Sequence, residues 1–226
     1  MRPRAIIFDF DGVLLESELE FNRIAADLLT ELGHPVTVEE ALTHFVGLSG
    51  KDVVSAIESK IGAPLPADYQ PRMKESGRRV LREGIAAVAG AIEFVRSLPP
   101  EMPLAVASSS STRWMQGHLN HLGLADAFGG HLYSGAEHVE RGKPAPDLYL
   151  HAARSLEVSI DECAIIEDSR VGATGALASG GRVIGLAAGS HCLDGHADML
   201  RALGVKDIAH SFADVSRLLG LAQPPK

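Results

Sequence analysis

The sequence predicts an α/β fold: a doubly wound parallel sheet that carries an inserted all-helical segment. Three observations predict it. Short apolar runs recur along the chain, each ending in small or polar residues. Helical patterns fill most intervals between them. One long interval, from about residue 16 to 83, holds helical patterns and no strand candidate.

The strand candidates are "AIIFDFD" (5–11), "LAVASSS" (104–110), "AIIEDS" (164–169), "RVIGLAAG" (182–189) and the weaker "DIAHSF" (207–212). Continuous apolar runs of this length, without alternation, suit strands buried on both faces. Helical patterns occupy 88–98, 111–123, 146–156 and 170–181. Ser111 or Thr112 is placed to cap the second. Pro146 opens the third at a favoured first-turn position, and glycines suited to a C-cap end the fourth. Alternating strands and helices give a parallel sheet covered on both faces. In such sheets ligands bind beyond the carboxyl ends of the strands, so the polar ends of the runs are where chemistry is expected.

Within 16–83, Phe21, Ile24, Ala25, Leu28 and Leu32 fall on one helical face, and Gly33 follows as a stop. Thr37 and Glu40 have the spacing of a capping box. "KDVVSAIESKIG" and "DYQPRMKESGRRVLREG" complete about four helices. The expected organisation is a core of residues 1–15 and 84–226 with a helical insertion over 16–83, hinged near Leu15–Glu16 and Glu83–Gly84.

Composition narrows the function. The 226 residues are 46% hydrophobic and carry a formal charge of −8. That acidic balance argues against nucleic acid and anionic membrane as partners, both of which need clustered Lys and Arg. No apolar stretch approaches the roughly 20 residues of a membrane span, and no signal peptide is visible. Cys163 and Cys192 read as two reduced thiols, and a cytoplasmic monomer is expected.

Four segments carry chemistry. Asp9 and Asp11 close the first run. At i and i+2 of an extended chain they point to one side, and Gly12 permits a tight turn and close approach of a ligand. An ionised carboxylate can attack phosphorus without a base, while a second carboxyl handles protons. Glu167 and Asp168 close another run, bringing four carboxyl groups to the strand ends. Such a group repels itself without a cation, and its oxygen-only donors suit Mg²⁺. Lys143, in "RGKPAPD", can supply a compact positive charge to a phosphate. Ser108 and Ser109, in "ASSSSTR", precede a helix N-terminus, a ready anion site.

In order, Asp-Phe-Asp-Gly-Val, Ala-Ser-Ser-Ser, Gly-Lys-Pro-Ala-Pro-Asp and Ile-Glu-Asp-Ser resemble the four motifs of the haloacid dehalogenase superfamily. The helical insertion is similar to that superfamily's C1 cap, on a Rossmann-like core. The resemblance spans nearly the whole chain and is nearest to the phosphatase and β-phosphoglucomutase-like branch. It implies that Asp9 is a nucleophile forming an aspartyl-phosphate. Asp11 would be the general acid/base, its carbonyl a Mg²⁺ ligand. Ser108 would hold phosphoryl oxygens, Lys143 would steady nucleophile and phosphate, Asp168 would ligate Mg²⁺, and Glu167 would act at or just beyond the metal. In the same family the loop containing Gly47, Ser49, Gly50 and Lys51 meets the leaving group, so Ser49 and Lys51 are candidate substrate contacts. One departure stands out: Glu16-Ser17-Glu18 replaces the usual Asp-Ser/Thr-Glu, placing a longer side chain near the hinge.

The function implied is a Mg²⁺-dependent phosphatase for a small phosphorylated metabolite, such as a sugar or sugar-acid phosphate. A β-phosphoglucomutase-type mutase is the alternative. It is disfavoured because Gly50, with Lys51 beside it, stands where that mutase carries an arginine. A metal-free dehalogenase has no use for Asp11, and a non-catalytic binding protein would be expected to lose Asp9 or Asp11. Trp114 and Met115 read as packing residues, and His118 and His121 as a solvated or amphipathic helix face rather than a metal pair. His191 and His196 show no metal spacing. Arg72, Lys74, Arg78 and Arg79 form a basic cluster, mostly solvated, from which one side chain could reach the cleft.

Overall fold

A computed structural model describes residues 2–46, 48 and 50–221. Strands β1 (Ala5–Phe8), β2 (Leu104–Ser108), β3 (Leu132–Ser134), β4 (Cys163–Glu167), β5 (Arg182–Leu186) and β6 (Asp207–Ala209) form one sheet in the order β3-β2-β1-β4-β5-β6. Every pairing is parallel. The central strand β1 sets Ile6 beside Leu104 on one side and Ala164 on the other. Chain order reverses there, so the crevice of the sheet opens at the end of β1.

Eleven helices are described: α1 (Ser17–Glu31), α2 (Val38–Phe45), α3 (Gly50–Ile61), α4 (Tyr69–Glu83), α5 (Ala91–Ser97), α6 (Thr112–Leu122), α7 (Ala125–Phe128), α8 (Asp147–Ser155), α9 (Arg170–Ser179), α10 (His196–Ala202) and α11 (Phe212–Leu219). Alternate residues of β1 feed two cores. Ile6 and Phe8 join Phe94, Met115, Phe128 and Phe212 from α5, α6, α7 and α11. Ala5 and Ile7 join Leu148, Ala152, Ala176 and Leu200 from α8, α9 and α10. Each fully buried large apolar side chain contributes about 1.5–3 kcal/mol. With both faces covered, β1 has no solvent face to alternate for.

Helices α1 to α4 follow β1 with no strand between them and build a third core from Ala25, Leu28 and Leu29 with Ala41, Phe45, Ile57 and Tyr69. The capping box forms: Glu40 N donates to Thr37 Oγ1 at 3.1 Å, and Thr37 N to Glu40 Oε2 at 2.9 Å. The chain enters and leaves this layer at one place. Glu16 N donates to Ala86 O at 2.9 Å, Val88 N to Leu14 O at 3.2 Å, and Leu15 bridges Ala87 antiparallel. No described helix is long and apolar enough to cross a membrane.

Four elements escape the sequence patterns. β3 is a three-residue edge strand without an apolar run, α7 is a single turn, and α10 and α11 lie where no helical pattern is read. Ser111 caps α6, accepting from Trp114 N at 3.2 Å, and Gly180 closes α9 at φ 87°.

His118 lies on the buried side of an amphipathic α6. It is buried rather than solvated, stacks edge-on against Trp114 at 4.1 Å between ring centroids, and neither ring nitrogen has a partner. Burial pushes its pKa down to about 4. The ring is therefore neutral in the fold, while in the unfolded chain it titrates near 6.5. Stability is full above about 6.5 and falls as pH drops through that value toward 4. His118→Leu should remove a pH-dependent loss on the order of 2 kcal/mol in urea unfolding between pH 7 and pH 4. Equal losses in variant and parent would contradict this assignment.

Candidate active site

The carboxyl ends of β1, β2 and β4 open into one cleft of about 820 Å³ whose walls include Asp9, Asp11, Ser108, Ser109, Lys143 and Asp168. Asp9 follows β1 directly. Its Oδ1 accepts from Lys143 Nζ at 2.6 Å, and the same ammonium donates to Glu167 Oε1 at 2.6 Å. All three side chains are almost wholly buried. Burial lowers the Lys143 pKa, but Asp9 and Glu167 outweigh it and hold the ammonium well above its usual range. Asp9 is pushed well up by burial, then by repulsion from Glu167, against the pull of Lys143.

Glu167 ends β4. Its Oε1 also accepts from Tyr149 Oη at 2.8 Å, and its Oε2 from Ser169 N and Ser169 Oγ at 3.0 Å each. A Cβ on Gly172 would lie 1.7 Å from Glu167 Oε1, so the start of α9 needs glycine to admit this carboxylate. Glu167 thus holds Lys143 from behind, with both oxygens engaged.

Asp168 is clamped by two histidines. His191 Nε2 lies 2.8 Å from Asp168 Oδ2, and His196 Nε2 lies 2.7 Å from the Asp168 carbonyl. Both acceptors require a hydrogen on Nε2. Burial lowers the His191 pKa and keeps the ring neutral. Burial and then Glu167 push Asp168 well up. Gly12, at φ 83°, makes room for this clamp: its Cβ would sit 2.1 Å from Asp168 Oδ2 and 3.0 Å from the His191 ring. Asp168 Oδ1 is buried without a partner.

Asp9, Glu167 and Asp168 offer oxygens within 4.8 Å of one another. Three buried carboxylates against one ammonium leave an uncompensated negative charge, and an orphaned carboxylate oxygen lies among them. The donor set fits a hard divalent cation. A second group, His191, Cys192 and His196, meets the same spacing. There, however, burial and then Asp168 push the Cys192 thiol up to about 12, which opposes the thiolate a metal would need.

Asp11 faces a different set. Its Oδ1 accepts from Ser17 Oγ at 2.7 Å and Trp114 Nε1 at 3.1 Å, and its Oδ2 from Ser110 Oγ at 2.6 Å and Ser108 Oγ at 3.3 Å. Four donors fix its orientation. Ser108, expected to hold a phosphate, here donates to Asp11 together with Ser110, while Ser109, the other expected holder, lines the cleft. Trp114, read as a packing residue, is one of these donors. The signal for it was its place in the first turn of a helix that starts at a strand's carboxyl end; the same holds for His196.

Other candidates fall elsewhere. Glu16, expected near cap or substrate, accepts instead from Ser190 N at 3.0 Å and Ser190 Oγ at 3.0 Å. Lys51 is exposed at the start of α3 and is not on the cleft wall, where its neighbour Asp52 lies. Ser49 and Gly47 lie outside the described residues. None of Arg72, Lys74, Arg78 and Arg79 reaches this cleft. Arg72 pairs with Glu31 and Arg78 with Glu75, and Arg72 and Arg79 line a separate cavity of about 450 Å³ against α1.

Comparison with known proteins gives the family. The chain is 26% identical over 191 residues to 6-phosphogluconate phosphatase of Escherichia coli (strain K12), covering 84% of this chain and 85% of that protein. It is 28% identical over 219 residues to hexitol phosphatase A of the same organism, covering 96% and 94%. A crystal structure of a HAD family hydrolase from Deinococcus radiodurans R1, with bound phosphate and sodium, superposes with a TM-score of 0.86 at 30% identity and 99% coverage of each chain. Residues 6–186 match the model of the haloacid dehalogenase-like hydrolase family, and the chain is a member of that family, a phosphoric monoester hydrolase of its phosphatase branch.

Proposed function

We propose that this chain is a Mg²⁺-dependent phosphatase that works through an aspartyl-phosphate on Asp9. The observation that carries the reading is the buried Asp9–Lys143–Glu167 bridge beside the unpartnered oxygen of Asp168. With Oδ1 held by Lys143, the second oxygen of Asp9 is left to attack phosphorus. As the phosphorus–oxygen bond to the leaving group breaks, Asp11 in its protonated form gives that oxygen a proton. The Asp11 carboxylate then takes a proton from water as the water attacks phosphorus, and Asp9 is released with inorganic phosphate. Lys143 faces the negative charge that builds on the transferring group.

Asp168, with Asp9 and the Asp11 carbonyl, would hold Mg²⁺, and Glu167 would act behind them through Lys143. Bound there, the ion supplies positive charge that keeps Asp9 ionised and stabilises phosphoryl oxygens. Helices α1 to α4 act as a cap over the cleft, and their closure excludes bulk water from the intermediate. The names of the relatives place sugar and sugar-acid phosphates on the panel of metabolites to try. A mutase fits less well, because neither Lys51 nor the α4 arginines line the cleft to take a second phosphate.

Two experiments test the reading. Asp9→Asn should lower phosphate release from a panel of phosphorylated metabolites by at least roughly a thousandfold, with an unchanged circular dichroism spectrum. Wild-type turnover in that variant would sink the mechanism. In thermal-shift titrations, Mg²⁺ at a hundredfold excess over its Kd should add about 2.7 kcal/mol of stability, and EDTA should reverse it. His191→Leu should weaken Mg²⁺ about tenfold to a hundredfold, because Asp168 loses the donor that orients it. A melting temperature indifferent to Mg²⁺ would refute the cation assignment.

A further inference from the structure

We infer that the leaving group taken by this cleft is uncharged and presents an apolar face. The inference rests on the phosphatase reading and specifies the substrate of the same site. Beyond the reacting groups, Phe21, Val46, Leu48, Trp114, Val171 and Met199 line the cleft. Phe21, expected on the buried face of α1, turns to the cleft and packs on Trp114 with ring centroids 5.6 Å apart. Leu48 and Val171 are 41% and 42% exposed, and only Leu193 among the other described large hydrophobics is comparably exposed. Two of three such side chains therefore line this cleft. Apolar surface left in water at a cleft marks where a ligand covers it.

Charge along the cleft points the same way. Glu18, Asp52 and Arg170 also line it, two carboxylates and one guanidinium. Lys51 and the α4 arginines, the other cations that could greet a second anionic group, do not line the cleft. A carboxylate or second phosphate on the leaving group would face two carboxylates for one guanidinium, which acts as rejection. A polyol would leave the six apolar side chains poorly covered.

The test compares three phosphates of primary alcohols, so that leaving-group chemistry is matched: 2-phenylethyl phosphate, sorbitol 6-phosphate and 6-phosphogluconate. With Mg²⁺ present, kcat/KM from phosphate release should fall in that order, by roughly tenfold at the first step. The double substitution Leu48→Ser with Val171→Ser should shrink the ratio of the first to the second by about threefold or more. Equal or better turnover of the polyol or the sugar acid would overturn the inference while leaving the phosphatase reading intact. So would a double variant that slows all three alike, since these side chains would then serve cap closure and not recognition. Release of phosphate from none of the three would overturn the phosphatase reading and this inference with it.

Discussion

A single ammonium, that of Lys143, is shared between two buried carboxylates, and the arrangement of the site follows from it. Asp9, Glu167 and Asp168 end neighbouring parallel strands or follow them directly, so the fold itself forces them together. Desolvating several carboxylates costs several kcal/mol each unless they are paired. Lys143 offsets part of that cost, and Tyr149 and Ser169 saturate Glu167. What stays uncompensated is concentrated on Asp9 and on one oxygen of Asp168, the two places where the proposed chemistry needs an ion and a nucleophile.

The division of labour between the two aspartates of β1 is a matter of neighbours. Asp9 looks toward Lys143 and the acidic cluster. Asp11 looks toward hydroxyls and an indole, with no charged group bonded to it. Two carboxylates two residues apart are thus given opposite surroundings, the condition under which one can attack while the other moves protons. The paired connections at Leu15 and Ala87 then place the helical layer above both.

The sequence made the sheet and the acidic residues legible because buried parallel strands are written as uninterrupted apolar runs, and their polar ends stand out. Thr37 and Ser111 were legible as caps because capping is local. Trp114, His191 and His196 were not. Trp114 reaches Asp11 across 103 positions, and His196 reaches Asp168 across 28; only the sheet's closure brings them together. Which side of its helix His118 faces was not legible for the same reason: the packing of α4 against α6 decides it. β3 left no mark because a three-residue edge strand needs no apolar run.

The account's central claim is that Asp9 carries the phosphoryl group. A crystal structure grown with Mg²⁺ and beryllium trifluoride, a stable mimic of an acyl phosphate, tests it most directly. The account predicts trifluoroberyllate on the free oxygen of Asp9, Lys143 beside it, and Asp168 Oδ1 on the ion. Trifluoroberyllate on another carboxylate, or Asp9 bare at saturating Mg²⁺ and beryllium fluoride, would contradict it.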